Sequence, residues 1–375
     1  MANLPYVDVL RAAHFQISDA VRRTQATALE AFGLGVDECA FGVISSGPHW
    51  RLRAYGGREE GPALLIIAAP IKRPYIWDIT PSVSPVRYCL QQGTRVYLLE
   101  WTPPAGDNGK AGLDEYVGEA IAACVTKLTD KGGAVRPFLM GHSLGGTLAA
   151  MFCALDPGSV QGLVLLGAPL CFEQGSSRFR DGLVAIVPST LTEDVTVAGS
   201  LLSQVSVAAS PHEFLWSRWI DAAFSVSDPS AMDMHARVER WALDEVALPG
   251  KLVNQILGWL YREDRFCRGT LSICGKQLGP SDLQVPTLAL VNTADEIGPL
   301  ASVTPFIEKM STEDTEIIEF PGELGVGLQH LAILTGRRVH SQVWPKIMLW
   351  VNRTLGRGIN FERSAAKNRH REKPS

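Results

Sequence analysis

The rhythm of apolar and polar positions changes near residue 63. Before that point, residues 1–34 carry helical spacing and end at Gly33-Leu34-Gly35, and residues 40–56 alternate around Ser46-Gly47-Pro48, which predicts an antiparallel hairpin. After it, short continuous apolar runs recur at 63–69, 95–100, 136–140, 161–166 and 286–292, with a shorter, more polar run at 315–320. Continuous runs rather than alternation are what strands covered on both faces require. Helical spacing fills 113–129, 144–155 and 299–310, and a last helix is expected over 338–355. Strands alternating with helices predict an α/β protein with a mostly parallel sheet and helices on both faces.

The rhythm breaks between 170 and 280, a stretch rich in tryptophan (Trp216, Trp219, Trp241, Trp259) with helical segments and no strand series. A block of that length between two core strands reads as a cap, the kind of insertion that shapes a pocket and excludes water. Most of its aromatics are expected to pack the cap's own interior. The expected organisation is a helical lead-in over 1–39, core over 40–169 and 281–357, the cap over 170–280, and a basic, disordered tail over 358–375.

Chemistry enters at Phe138-Leu139-Met140-Gly141-His142-Ser143-Leu144-Gly145-Gly146. An apolar strand runs into Gly-x-Ser-x-Gly and then into an Ala-rich helix, which is the pattern of a nucleophile elbow and of the α/β-hydrolase fold. The turn is tight enough to need glycine on both sides of Ser143. A serine hydroxyl needs a base, and the base needs a carboxylate to orient it. In this fold the acid follows a late core strand and the histidine comes last. Thr293-Ala294-Asp295-Glu296 follows the run ending at Asn292, so Asp295 is the expected acid, with Glu296 beside it as the alternative. His330 follows the run at 315–320 and the loop Pro321–Gly327, and is the expected base, whereas His340 falls at helical spacing in the terminal helix. His142 is expected to be structural. Two backbone N–H groups should hold the oxyanion: Leu144, directly after the nucleophile, and Ile71, since Pro70 has no N–H to give. Lys72 and Arg73 next to it read as solvated.

Composition narrows the field further. The chain has 375 residues, 46% hydrophobic, and a formal net charge of −4, so nothing marks a nucleic-acid partner. Asp8, Arg11 and Asp19 do not read as a signal peptide, and the longest apolar run, Ala63 to Ile71, is too short to span a bilayer. The seven cysteines are scattered and none pairs at zinc-ligand spacing, so they read as reduced thiols in a cytoplasmic protein with no metal or other cofactor.

Several segments together resemble the catalytic subunits of polyhydroxyalkanoate synthases, especially the short type that works with a partner subunit. Ile71-Lys72-Arg73-Pro74-Tyr75-Ile76-Trp77-Asp78 resembles the family's x-N-R-P-Y-x-x-D loop. Gly93-Thr94-Arg95-Val96-Tyr97-Leu98-Leu99-Glu100-Trp101 is similar to its G-x-x-V-Y-x-x-D-W strand. Arg237–Trp241 with Leu248-Pro249-Gly250, Arg268-Gly269-Thr270-Leu271 with Gly275-Lys276, and the spacing of His330, Gly336, Trp344 and Pro345 also match. The resemblance implies an acyl-transfer pocket for hydroxyacyl esters or thioesters such as acyl-CoA, and it selects Asp295 and His330 independently. It leaves room for a homodimer or a partner subunit. Two departures stand out: the family's nucleophile is cysteine where this chain has Ser143, and Gln329-His330-Leu331-Ala332 follows a longer glycine-rich stretch than the family's Gly-His-Ile-Gly. An oxygen ester is less reactive than a thioester toward a second alcohol. The sequence therefore leads to a serine acyl hydrolase or acyltransferase first, with a polyhydroxyalkanoate synthase as the alternative.

Overall fold

The computed structural model describes residues 5–104, 110–130, 136–188 and 195–356. The tail expected over 358–375 lies outside the described residues. Eight strands form one sheet: β1 (Gly42–Gly47), β2 (Trp50–Gly56), β3 (Ala63–Ile67), β4 (Arg95–Trp101), β5 (Phe138–His142), β6 (Gly162–Leu166), β7 (Thr287–Asn292) and β8 (Thr315–Phe320). Their order across the sheet is β1-β2-β4-β3-β5-β6-β7-β8. The first two form the expected hairpin and join β4 antiparallel, and every pairing from β4 to β8 is parallel.

Burial follows the apolar runs. All residues of β3, β5, β6 and β7 are buried, because these strands lie inside the sheet with helices on both faces. The edge strand β8 is only partly covered, which accounts for its more polar run. The helix Leu144–Leu155 is buried almost throughout, and its Ala-rich sequence lets it lie close against the sheet. Elements of the expected strand and helix series appear in place: each of the six core runs contains a strand, and Ser143, Gly167, Asp295 and His330 all follow the carboxyl ends of parallel strands.

Between β6 and β7 the chain is mainly helical, with helices at Arg178–Ile186, Gly199–Ala209, His212–Trp216 continuing into Ser217–Ser225, Pro229–Ala242 and Gly250–Gln255. The helix Pro5–Leu29 packs on this insertion: Arg22 pairs with Glu245 at 2.6 Å, and Ser200 N–H donates to Asp19 at 2.9 Å.

Three expectations need correction. Lys72 is not solvated. Its ammonium bonds Ala242 O at 2.5 Å, Glu245 at 3.0 Å and Ser203 at 3.2 Å, and burial lowers its pKa to about 8. Not all cysteines are thiols, because Cys171 and Cys267 form a disulfide between Cα atoms 5.1 Å apart and 96 residues apart in sequence. Spacing along the chain carried no trace of this pair, since it joins the loop after β6 to the far end of the helical insertion. The insertion's tryptophans divide: Trp241 and Trp259 are half-buried, whereas Trp216 and Trp219 are exposed.

Candidate active site

β5 delivers Ser143 into a sharp turn with φ 54° and ψ −136°, a backbone conformation that non-glycine residues rarely adopt. Neighbouring backbone holds it there. Its N–H donates to Leu166 O at 3.0 Å, and its carbonyl accepts from Gly146 N–H at 2.9 Å. A Cβ at Gly141 would lie 2.5 Å from Gly146 Cα, and one at Gly145 would lie 2.3 Å from Ile67 O. The glycines of the motif thus exist to let the helix approach β5 on one side and the loop after β3 on the other.

The expected acid and base, Asp295 and His330, are brought together by the loops after β7 and β8. The Asn292 side chain accepts from Ala294 N–H at 2.9 Å and donates to Gln329 O at 2.8 Å, tying one loop to the other. Asp295 then accepts from Ile297 N–H at 2.7 Å through Oδ1 and bonds His330 Nδ1 at 2.7 Å through Oδ2. Both side chains are nearly sealed from water. With Nδ1 donating to the carboxylate, the remaining ring nitrogen, Nε2, is left as the proton acceptor. It is buried and makes no hydrogen bond among the described residues, Ser143 Oγ included.

Gly167 marks how close Ser143 and this pair stand. It follows Leu166, the residue bonded to Ser143 N–H, and a Cβ on it would lie 3.3 Å from Asp295 Oδ2 and 3.7 Å from the His330 ring. His142, next to Ser143, bonds His330 O through Nε2 at 2.8 Å, with the two rings 4.5 Å apart. Burial, and then the nearby His330, pull the His142 pKa down to about 3, so it is a neutral prop under the base. Glu296 does not reach His330. Its carboxylate is taken by Arg178 and His212, each at 3.1 Å, and by Ser210 at 2.8 Å. His340 bonds Leu334 O at 2.9 Å and stacks on Trp344 within the C-terminal packing.

Electrostatics favour an ionised acid and a basic imidazole. Burial alone would raise the Asp295 pKa and lower that of His330. The mutual charge and hydrogen bond outweigh it, so Asp295 lies below the ordinary carboxylate value and His330 above the ordinary histidine value. A second carboxylate adds to this. Glu213, from the helical insertion, accepts the His330 N–H at 3.3 Å. Burial and then the Asp295 charge raise its pKa to about 7. No motif marks Glu213 in the sequence. The same holds for Gly167, whose place after a core strand is a signal only once the acid and base are located.

The Leu144 N–H opens the elbow helix and has no intrahelical partner. Ile71 sits in a loop fastened to the insertion: Ile71 O accepts from Val246 N–H at 2.9 Å, Arg73 N–H donates to Asp244 O at 3.3 Å, and Trp241 donates to Arg73 O at 2.7 Å. The Ile71 N–H donates to no backbone carbonyl among the described residues. A Cβ on Gly145 would also lie 2.9 Å from Ala69 N, which adds the Ala69 N–H as a donor candidate that the sequence reading passed over. Among the described residues, one group has metal-ligand character: donor atoms of His212, Glu213 and Glu296 lie within 4.8 Å of one another. His212 and Glu296 already pair with each other, and Glu213 is engaged by His330.

Comparison with known proteins gives the family. Residues 84–323 match the model of the alpha/beta hydrolase fold. The chain is 30% identical over 356 residues to the poly(3-hydroxyalkanoate) polymerase subunit PhaC of Haloferax mediterranei, covering 92% of this chain and 70% of that one. It is 27% identical to the PhaC subunit of Haloarcula marismortui, with 78% of this chain and 61% of that one covered. It is 26% identical to that of Allochromatium vinosum, with 80% and 83% covered. Among solved structures, a putative lipase from Sulfolobus solfataricus aligns with a TM-score of 0.54 at 17% identity over 84% of this chain and 93% of that one. A monoacylglycerol lipase from Paleococcus ferrophilus aligns at 0.50 and 17%, over 81% and 98%. These structural likenesses speak to the fold alone. No helix of the described residues is long and apolar enough to cross a membrane. The chain is an enzyme of the alpha/beta hydrolase fold, and it belongs to the family of poly(3-hydroxyalkanoate) polymerase PhaC subunits.

Proposed function

We propose that this chain joins 3-hydroxyacyl groups from an acyl thioester such as an acyl-CoA into a polyester, with the growing chain held as an acyl-enzyme on Ser143. The observation that carries the reading is the buried Asp295–His330 pair, bonded at 2.7 Å beside an elbow serine, in a chain 30% identical to a poly(3-hydroxyalkanoate) polymerase over 92% of its length. In the first step the Ser143 oxygen attacks the thioester carbonyl while His330 Nε2 takes its proton. The tetrahedral oxyanion is held by the N–H of Leu144 and that of Ile71 or Ala69. The carbon–sulfur bond then breaks, and the proton on His330 leaves with the thiol. In the second step the hydroxyl of another hydroxyacyl thioester attacks the acyl-enzyme, His330 takes the hydroxyl proton and returns it to Ser143 as its ester bond breaks, and the lengthened chain, now a thioester, acylates Ser143 again with release of its thiol. Asp295 holds the imidazole in the required tautomer throughout. No resident cofactor has a part in either step. A cytoplasmic setting, where acyl-CoA is made, accords with this chemistry.

Ser143 itself favours a second reading. With an oxygen ester in place of a thioester, water competes better as the acceptor, and the same residues would then make a hydrolase of hydroxyacyl esters. Incubation with 3-hydroxybutyryl-CoA separates the two. Thiol release accompanied by polyester of increasing mass supports the polymerase, and thiol release with only the free hydroxy acid supports the hydrolase.

A further inference from the structure

The helix over 212–225 is polar inside and apolar outside. Glu213, Asp221 and Ser225 are buried, while Trp216, Trp219, Ile220 and Phe224 are exposed. Positions 213, 217, 221 and 225 recur every four residues and so share one face. That face lies on the glycine-rich loop leading to His330. Asp221 Oδ1 accepts from Gly325 N–H at 2.7 Å and Val326 N–H at 3.3 Å, and Oδ2 accepts from Gly327 N–H at 2.8 Å. His235 Nδ1 adds a contact at 3.0 Å. The positive φ of Gly325 (78°) and Gly327 (75°) turns their N–H groups toward one carboxylate. A Cβ on Gly325 would lie 2.7 Å from Ala231 Cβ, and one on Gly327 would lie 2.7 Å from Val238 Cγ1. The extra glycines before the histidine, which set this chain apart from the family pattern, thus let the loop dock against the cap. Two turns before Asp221, Glu213 holds the N–H of His330 itself.

We propose that Glu213 and Asp221 are positioning residues for the base: through them the cap helix sets the place and the charge environment of His330. This rests on the acyl-transfer reading of Ser143, Asp295 and His330. Asp221 fixes the loop. Its burial is offset by His235 and the three N–H groups, which hold its pKa below the usual carboxylate value, so it stays charged. Glu213 places a second carboxylate beside the Asp295–His330 pair. The charged or titratable groups facing it are Asp295 and His330 from the core, Glu296 from the loop after β7 and its neighbour His212, while His142 packs against the His330 ring. Removing the Glu213 charge should make His330 give up its proton more easily.

The test uses full-length Glu213→Gln and Asp221→Asn, with two readouts. One is the pH profile of kcat and KM on a p-nitrophenyl ester. The other is the NMR titration of the His330 ring in a Ser143→Ala background, which needs no turnover. In Glu213→Gln, the His330 midpoint and the acidic limb of the rate profile should fall together, on the order of 0.5 pH unit. Asp221→Asn should lower kcat about tenfold with little change in KM. A Glu213→Gln protein whose His330 midpoint stays in place, whatever its thermal stability, overturns the proposal. If Asp221→Asn does not fold, the Glu213→Gln titration still decides. If wild type shows no acylation of Ser143, the proposed function fails, and the titration still reports on Glu213 alone.

Discussion

Gly167 stands so near Asp295 that a Cβ at position 167 would lie 3.3 Å from Oδ2, and its φ of 53° is one that L side chains rarely adopt. The acid–base pair therefore leans on a bare backbone. Gly167→Ala should cost about 1–2 kcal/mol of stability from the left-handed conformation alone. It should also cost acylation rate, on the order of tenfold, by pushing Asp295 off His330. Thermal unfolding and ester turnover measured together check this; an alanine variant with full activity would mean that the pair tolerates displacement.

Ser143→Ala should keep the fold and lose acyl transfer by on the order of 10³-fold or more, together with labelling by a fluorophosphonate probe. His330→Ala should do the same, whereas His340→Ala should mainly lower stability, because that ring bonds Leu334 O and packs on Trp344, away from Ser143. Asp295→Asn should cost far more rate than Glu296→Gln, since Glu296 is spent on Arg178, Ser210 and His212. Equal losses at 295 and 296 would undo the assignment of the acid.

Activity and stability should move in opposite directions with pH. In the proposed mechanism His330 must be neutral to accept the serine proton, so acylation should rise as pH passes the His330 pKa, which lies above the ordinary 6.5. The pairing of protonated His330 with Asp295 stabilises the fold fully below that ordinary value and fades as pH rises through the folded one. Glu213 acts in the same direction: its pKa is raised from 4.5 to about 7, so its own contribution to stability is lost as pH climbs across that window. Melting temperature followed alongside turnover should therefore fall near neutrality while rate rises. A melting temperature that rises above pH 6.5, beyond the range in which the depressed pKa values of His142 and His340 add stability with pH, and up to about pH 7 would contradict the charges assigned to this site.

Ser143→Cys should change the reaction rather than merely impair it. The thiol fits the same elbow and forms a thioester that an alcohol attacks more readily. Weaker hydrolysis of oxygen esters, with longer or faster-growing oligomers from a hydroxyacyl-CoA, is expected by mass spectrometry. A cysteine variant that accepts acyl groups yet yields only free acid would show that the pocket does not place an alcohol acceptor.

Much of this site could be read from local chemistry. The apolar strand, paired glycines and Ala-rich helix around Ser143 form a pattern short enough to see in one stretch of sequence. Chain order then placed Asp295 and His330. What stayed hidden depends on contacts between distant segments. Glu213 reaches His330 across 117 residues, Lys72 is half-buried and bonded by residues of the insertion, and Cys171 meets Cys267 across 96 residues. None of these leaves a periodic mark, because a side chain that bonds one remote partner needs no particular neighbours. Polarity misled as well: Lys72 looks like a solvated charge, and Trp216 and Trp219 look like core, until the fold shows which face of each helix or loop is covered.

The most direct test is the intact mass of the wild-type protein after incubation with 3-hydroxybutyryl-CoA, with Ser143→Ala alongside. The proposed function predicts a covalent adduct on the wild type alone, growing by successive hydroxybutyryl units as free thiol is released. No adduct on the wild type, or an equal adduct on Ser143→Ala, would contradict an acyl-enzyme at Ser143. A single acyl unit that turns over only to free acid would contradict polymerisation.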